Sequence, residues 1–358
     1  MNSMHHAYLS LKNRLQRIPG LMDGILFQAP QRPCPVNFAA AVTFIVTMTY
    51  IFSTNNALTT TWSKFSAVEF ACLVTNSCNQ NDHAPLSIKT VNPRSENDLI
   101  TKLKENDLWN ITPDSDIYPV IFTNFPAGMN NLEVELKKKA FFNTLFSVSI
   151  IAMAEVDKER EQLQTILAKI DDSSNNVILS SKYPEWKRKL TPKEIFFINS
   201  LLTKYRTNSA KELISRVNIV PVSLVLAQGA FESSWGTSRF AKLGNNLFGM
   251  WTWTEQGIIP ARREQDKTHR VETYASILDS IRTYILTLNR VSAYNEFRQI
   301  RKRSMNPLDL AEGLQYYSER GNAYIKDIKG IIDYNNLTEY DRLVNRNNKP
   351  VTAEIDIS

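Results

Sequence analysis

One stretch constrains the chain more than any other. Residues 221–250 read PVSLVLAQGAFESSWGTSRFAKLGNNLFGM, an apolar helix running into a loop rich in glycine and asparagine. Pro221 suits a first helical position, where its missing N–H costs nothing. Leu224, Val225, Gln228, Phe231 and Glu232 recur at three- and four-residue spacing, which sets Glu232 on or beside the packed face. Ala227, Gly229 and Ala230 keep the helix slim enough for a neighbour to come close. A carboxyl placed there, flanked by Phe231 and Trp235, is costly to ionise once desolvated, so its pKa should rise. A proton-donating acid working near neutral pH needs that property. A lone Glu at a helix end is more often a solvated residue, so spacing by itself does not make Glu232 catalytic.

The run AQGAFESSWGTSRFA followed by NNLFGM resembles the signature of the bacterial glucosaminidases, glycoside hydrolase family 73, and in particular their Bax-like branch. The resemblance starts near 185 and leaves the first 180 or so residues unexplained. It implies a mainly α fold: a lysozyme-like helical catalytic domain with a small irregular or β-like lobe, acting on the glycan strands of peptidoglycan. It makes Glu232 the general acid, with Trp235 beside it facing substrate. Asn246, Phe248 and Gly249 match the segment that shapes the cleft floor, and Tyr274 matches a residue facing the cleft. The family's Tyr-Ala/Ser-to-Tyr pattern is kept from Tyr317-Ser318 to Tyr324. It gives Tyr317 a catalytic place, bonding the N-acetyl group or orienting water. Tyr324 joins the substrate-facing set, although packing above Ile328 and Ile332 is its plainer reading.

Glycosidases commonly pair two carboxyls, about 5–5.5 Å apart in retaining and about 6.5–9.5 Å apart in inverting enzymes. The polar segment 255–275 carries Glu255, Glu264, Asp266 and Glu272. Position favours Glu264 as the second catalytic acid. Glu272 is its rival, Glu319 is a further competitor, and assistance by the substrate's own acetamido group would need no second acid. Asn side chains and the rings of Trp251 and Trp253 suit a sugar, since amides bond hydroxyls and aromatic faces stack on pyranoses. The two tryptophans alternate along the chain, so one is expected in the core and the other outside.

Elsewhere the pattern is coarser. Residues 1–33 carry Lys12, Arg14, Arg17 and Arg32 against Asp23, and 33–63 hold no charge at all. Within that run, 36–52 is apolar apart from Asn37 and three threonines. The segment is short but workable for a membrane span of roughly 17–20 residues, and its basic flank keeps the N-terminus cytoplasmic. A cleaved signal peptide is the alternative, with a poor site near Ala57. Cys72 and Cys78 would then lie in an oxidising compartment and either pair or stay free; Cys34 sits at the membrane edge. Residues 54–130 are weakly patterned and hold several prolines, while 132–170 turn helical. Thr191-Pro192-Lys193-Glu194 and Ser209-Ala210-Lys211-Glu212 read as helix caps, as do Ser276 with Asp279 and Asn306 before Pro307. The stripe Ile277, Ile281, Tyr284, Ile285 and Leu288 reads as core scaffold.

The formal charge of +6 and a pI near 9.0 suit an anionic partner, for which carboxylate-bearing peptidoglycan suffices. No nucleic-acid signature accompanies that charge. His269 is the sole histidine past residue 83, which disfavours Ser–His or Cys–His chemistry in this region. No phosphate-cradling glycine motif or zinc spacing occurs, so neither metal nor cofactor is expected.

The expected organisation is a basic cytoplasmic N-terminus (1–35), a transmembrane signal anchor (36–54), a linker or accessory segment (55–130), a helical spacer (131–184), the catalytic domain (185–340) and a tail (341–358). The expected protein is a single-pass inner-membrane glucosaminidase on the periplasmic side, cutting the β-1,4 bond after N-acetylglucosamine. A muramidase or lytic transglycosylase, and a non-catalytic wall-binding scaffold, are the competing readings.

Overall fold

The computed structural model describes residues 88–347 apart from 113, 171–184, 262 and 264–266. The expected membrane anchor at 36–54, all three cysteines, Glu264, Asp266 and the end of the tail lie outside the described residues. What is described is mainly α-helical.

The chain enters through β1 (Thr90–Val91), α1 (Glu96–Glu105) and β2 (Ile121–Phe122), the two short strands pairing in parallel. Ser95 caps α1 by accepting from the Asp98 N–H at 3.1 Å. A 3-10 turn at Ala127–Asn131 leads into α2 (Val134–Ile170), a helix of 37 residues. Then come α3 (Pro192–Tyr205) and α4 (Ala210–Arg216), followed by α5 (Val222–Ser233), which carries Glu232. A short α6 (Arg239–Gly244) precedes the hairpin of β3 (Trp251–Thr252) and β4 (Arg270–Val271), in which Trp251 opposes Val271. The chain closes with α7 (Ile277–Arg290), α8 (Asn295–Arg301), α9 (Pro307–Ala311), α10 (Asn322–Tyr334) and α11 (Thr338–Asn347).

Local chemistry sets the helix starts. Thr191 and Glu194 close a reciprocal capping box on α3. Ser209, Ser276 and Asn306 accept from the N–H groups of Glu212, Asp279 and Leu308 on α4, α7 and α9. Pro221 stands one place earlier than expected: it is the N-cap, with extended ψ, and Val222 is the first helical residue.

The region expected as a linker and spacer belongs, over its described residues, to the same core as the acid's helix. Between Ala140 and Val156, α2 is buried almost all round, and it packs on α5 and α7. Such a helix needs neighbours on every side. Leu99, Leu103, Val120, Phe122, Phe125 and Met129 supply part of that cover. Ser147 on α2 accepts from the Val120 N–H at 2.7 Å and donates to the Val120 carbonyl at 2.9 Å, which pins the extended segment to the helix. Beyond Val156 the helix buries only a stripe, where Leu163, Ile166 and Ile170 meet Ile198, Leu201, Tyr205, Leu213 and Val217 of α3 and α4. The close approach anticipated at Gly229 is real: a Cβ there would stand 2.7 Å from Leu145 Cδ2 on α2.

Candidate active site

Glu232 occupies the last turn of α5, directly before a sharp reversal. Ser234, Trp235 and Gly236 all adopt positive φ (49°, 60° and 74°), so the chain doubles back as soon as the helix ends. The Ser233 hydroxyl holds this turn by donating to the Gly229 carbonyl and accepting from the Gly236 N–H at 2.8 Å. Gly236 lies against Phe125, where a Cβ would come within 2.9 Å of the ring.

The carboxyl of Glu232 looks onto Gly249, at which a Cβ would stand 3.6 Å from its Oε2. Burial raises its pKa above the ordinary carboxylate value, and a hydrogen bond from the Tyr324 phenol works against that rise. Desolvation thus favours the neutral, proton-bearing form of this acid, and the phenolic donor favours the ionised one.

Tyr324 is the middle of a buried chain of hydrogen bonds. The Tyr284 hydroxyl donates to Gln228 Oε1 at 2.5 Å, and Gln228 Nε2 donates to the Tyr324 oxygen at 2.7 Å. The Tyr324 phenol also acts on Glu232, lowering the carboxyl pKa against the effect of burial. Gln228 and Glu232 are one turn apart on α5, so both face α10. Four phenols feel the Glu232 charge. Burial and then that charge hold Tyr294 up to about 12; Tyr284, Tyr317 and Tyr324 are also raised, with burial the leading cause.

The 245–250 loop forms the facing wall. Asn246 is buried, its Nδ2 donating to the Met250 and Glu272 carbonyls and its Oδ1 accepting from the Met250 N–H. Its amide is therefore spent on closing the loop. Phe248 stacks on Tyr284 with ring centroids 4.2 Å apart. Gly249 has φ +67°, a left-handed value that favours glycine. Tyr317 lies flat on Tyr324 at 5.6 Å and donates its proton to the Phe248 carbonyl at 2.8 Å. It braces the wall, and its oxygen lone pairs alone remain for other partners.

Other expected residues are placed differently. Trp235 turns its ring to α2, edge-on to Phe141 and Phe142 at 5.9 and 5.1 Å, with the Lys138 ammonium 5.8 Å from its centroid. It packs the turn against that helix. Tyr274 donates to the Glu272 carboxylate at 3.0 Å, which ties up the rival second acid at the hairpin base. Glu255 and Glu319 are exposed, and Glu264 lies outside the described residues. Trp251 and Trp253 are both exposed, at 50% and 73%, contrary to the in-and-out expectation. Residues two apart on a strand share a face, so alternation cannot separate them. Trp251 rests on His269 at 4.1 Å.

Sequence reasoning missed Gln228 and Tyr284 as polar partners and gave Tyr324 too small a part. The available signal was a glutamine one turn before the acid inside an otherwise apolar helix. A fully buried amide has to be satisfied by something.

The catalytic domain of the autolysin Auto from Listeria monocytogenes is 24% identical to the matched region, covering 42% of this chain and 89% of that domain at a TM-score of 0.26. Protein bax of Escherichia coli (strain K12) is 28% identical over 203 residues, or 52% of this chain. The match spans 66% of the length of that relative. The family model of the glucosaminidases, described as mannosyl-glycoprotein endo-beta-N-acetylglucosaminidase, matches residues 207–337. That span holds Glu232, Gln228, the 245–250 loop, Tyr317 and Tyr324. Residues 207–337 thus carry a match to the glucosaminidase family, and the chain is similar to Protein bax over the span given above.

Proposed function

We propose that this chain is a peptidoglycan hydrolase, an endo-β-N-acetylglucosaminidase that cuts the β-1,4 bond after N-acetylglucosamine in cell-wall glycan strands. The observation that carries the reading is the half-buried Glu232 carboxyl at the end of α5, facing Gly249, its pKa raised by desolvation. Glu232 protonates the leaving oxygen as the glycosidic bond breaks, and positive charge builds on the anomeric carbon and ring oxygen. That charge is met by a second carboxylate, Glu264 or Glu272, or by the substrate's acetamido oxygen. The exposed faces of Trp251 and Trp253 stack sugars next to the site. Residues 36–54 anchor the chain in the inner membrane, with the catalytic region on the periplasmic side.

The test is digestion of purified peptidoglycan by the full chain and by Glu232→Gln, with the new ends read by mass spectrometry. N-acetylglucosamine reducing ends that vanish in the variant support the proposal. N-acetylmuramic acid or anhydro ends would move the cleavage to the other glycosidic bond. Binding without cleavage by wild type would leave a wall-binding scaffold.

A further inference from the structure

We propose that the cavity between α2, the 109–112 loop and α11 is a second binding site, which takes the acidic stem peptide of peptidoglycan while the glycan strand occupies the cleft at Glu232. The choice of polymer rests on the proposed function.

The cavity holds about 880 Å³, within the range of sites for small ligands. Trp109, Ile111, Tyr340 and Leu343 give it apolar walls, and Lys139, Asn110 and Asn336 bring polar groups to them. Such a lining suits a ligand that alternates methyl groups with amides and carboxylates. The walls are fixed before any ligand arrives. Asn143 on α2 is only 3% exposed, and both ends of its amide are used. Its Nδ2 donates to the Trp109 carbonyl at 3.1 Å, and its Oδ1 accepts from the Tyr340 hydroxyl at 2.8 Å. One buried side chain thus ties two walls to the helix, which leaves little ordering cost for binding.

Charge selects the ligand. Lys139 has no ion pair among the described residues: its ammonium donates to Asn110 Oδ1 at 2.8 Å and stands 4.7 Å from the Trp109 ring centroid. An ammonium has three protons, so two remain for a carboxylate. Lys104 adds a second ammonium 5.8 Å from the same ring. Glu339, the acid of the lining, is paired with Arg342. A neutral glycan would leave the Lys139 charge unused. A stem peptide, with its alanine methyls, amides and free carboxylates, uses both kinds of wall. The cavity is distinct from the cleft, since neither Gly249, Tyr317 nor Tyr324 lines it. Phe142 stands between the two, its ring 5.1 Å from that of Trp235 in the turn after the acid and 6.4 Å from that of Tyr340. Holding one polymer at two places raises the local concentration of glycan at Glu232.

The test titrates the full chain, carrying Glu232→Gln to prevent turnover, with two soluble probes in a calorimeter. One is the wall tetrapeptide of L-alanine, D-glutamate, meso-diaminopimelate and D-alanine; the other is a peptide-free oligomer of N-acetylglucosamine. Adding Lys139→Gln keeps the bond to Asn110 but removes the charge, and tetrapeptide affinity should fall about tenfold. Asn336→Asp puts a negative charge on the lining at a left-handed position (φ +51°) that Asp tolerates, and should weaken the tetrapeptide as well. In the active chain, Lys139→Gln should raise KM on intact peptidoglycan about threefold or more at unchanged kcat, and leave hydrolysis of peptide-stripped glycan as in wild type. A tetrapeptide that does not bind, or that binds Lys139→Gln as tightly as its parent, overturns the inference and leaves the proposed function intact. Oligomer binding that weakens with Lys139→Gln would make the cavity a sugar site and overturn the inference too. A wild-type chain that binds the tetrapeptide at Lys139 but cuts no glycan supports the site and overturns the proposed function.

Discussion

Replacing Tyr324 with Phe removes one oxygen and leaves the ring. The stack on Tyr317 at 5.6 Å and the edge contact with Phe231 at 5.4 Å survive, so packing is conserved. Two losses follow. Gln228 Nε2, fully buried, loses its acceptor, and an unsatisfied buried donor costs about 1–3 kcal/mol. In a domain of this size that lowers Tm by about 3–8 °C. Glu232 also loses the donor that opposes the effect of burial, so its pKa climbs further. The sign follows from its role. The acid works protonated, activity falls as it ionises, and a higher pKa carries that fall to higher pH. A bond from a neutral donor to a carboxylate is worth about one pKa unit or somewhat more. The assay is the pH dependence of reducing-end release from purified peptidoglycan, with thermal unfolding run on the same samples. A Tyr324→Phe enzyme whose Tm and alkaline limb both match wild type would refute the hydrogen-bonded chain. A lower Tm with an unmoved limb would place Tyr324 in the core but not on the acid.

Ser147→Ala leaves the buried N–H and carbonyl of Val120 without their partner and should cost about 2–4 kcal/mol in urea unfolding; a neutral result would mean that the 88–131 segment is not docked on α2 in solution. Gly249→Ala forces an L side chain to φ +67°, at about 1–2 kcal/mol, and sets a methyl 3.6 Å from Glu232 Oε2. Turnover of the folded variant should therefore fall about tenfold or more, and a folded variant with wild-type turnover would argue against that contact. Burial, helped by Glu161 and opposed by Arg160, lifts Asp157 from its ordinary 3.8 to about 6. The neutral form favours folding, and that contribution is complete below 3.8 and gone as pH rises through about 6. Asp157→Asn should accordingly raise Tm at neutral pH by an amount worth about 1 kcal/mol after solvent screening, and leave it unchanged in strong acid.

The helix starts were legible because each cap is complete within four residues. Thr191 with Glu194 and Ser209 with Glu212 contain donor and acceptor in one short window. Glu232 was singled out for a different reason: its motif is long, and the structure places it in the last turn of the helix that the spacing implied. The bonds that tune it were not. Gln228 meets Tyr284 across 56 residues of chain and Tyr324 across 96, and no local pattern links them. Read by period, Gln228 and Tyr284 are core positions, which is true of their burial and silent about their polar atoms. The orientation of the Trp235 ring was not legible either. Positive φ at Ser234, Trp235 and Gly236 swings its ring onto α2, and a motif does not record the side to which a turn throws a ring.

Less legible was what surrounds α2, expected only as part of a helical spacer. Much of α2 is apolar enough, over a sufficient length, to cross a membrane, yet in the structure that part is enclosed by protein. Periodicity cannot tell lipid from protein as the surround, because both demand an apolar surface on every side. Here the enclosure comes from α5, α7 and the proline-bearing segment before it, whose strands are two residues long and whose core residues arrive singly, as Val120, Phe122 and Phe125 do. So few residues per element leave no period to detect. The consequence reaches the site. Glu232 is held by α5, α5 lies against α2 where Gly229 meets Leu145, and α2 is pinned to Val120 by Ser147. The family match begins at 207, so the acid's position depends on packing from residues that the family signature does not contain.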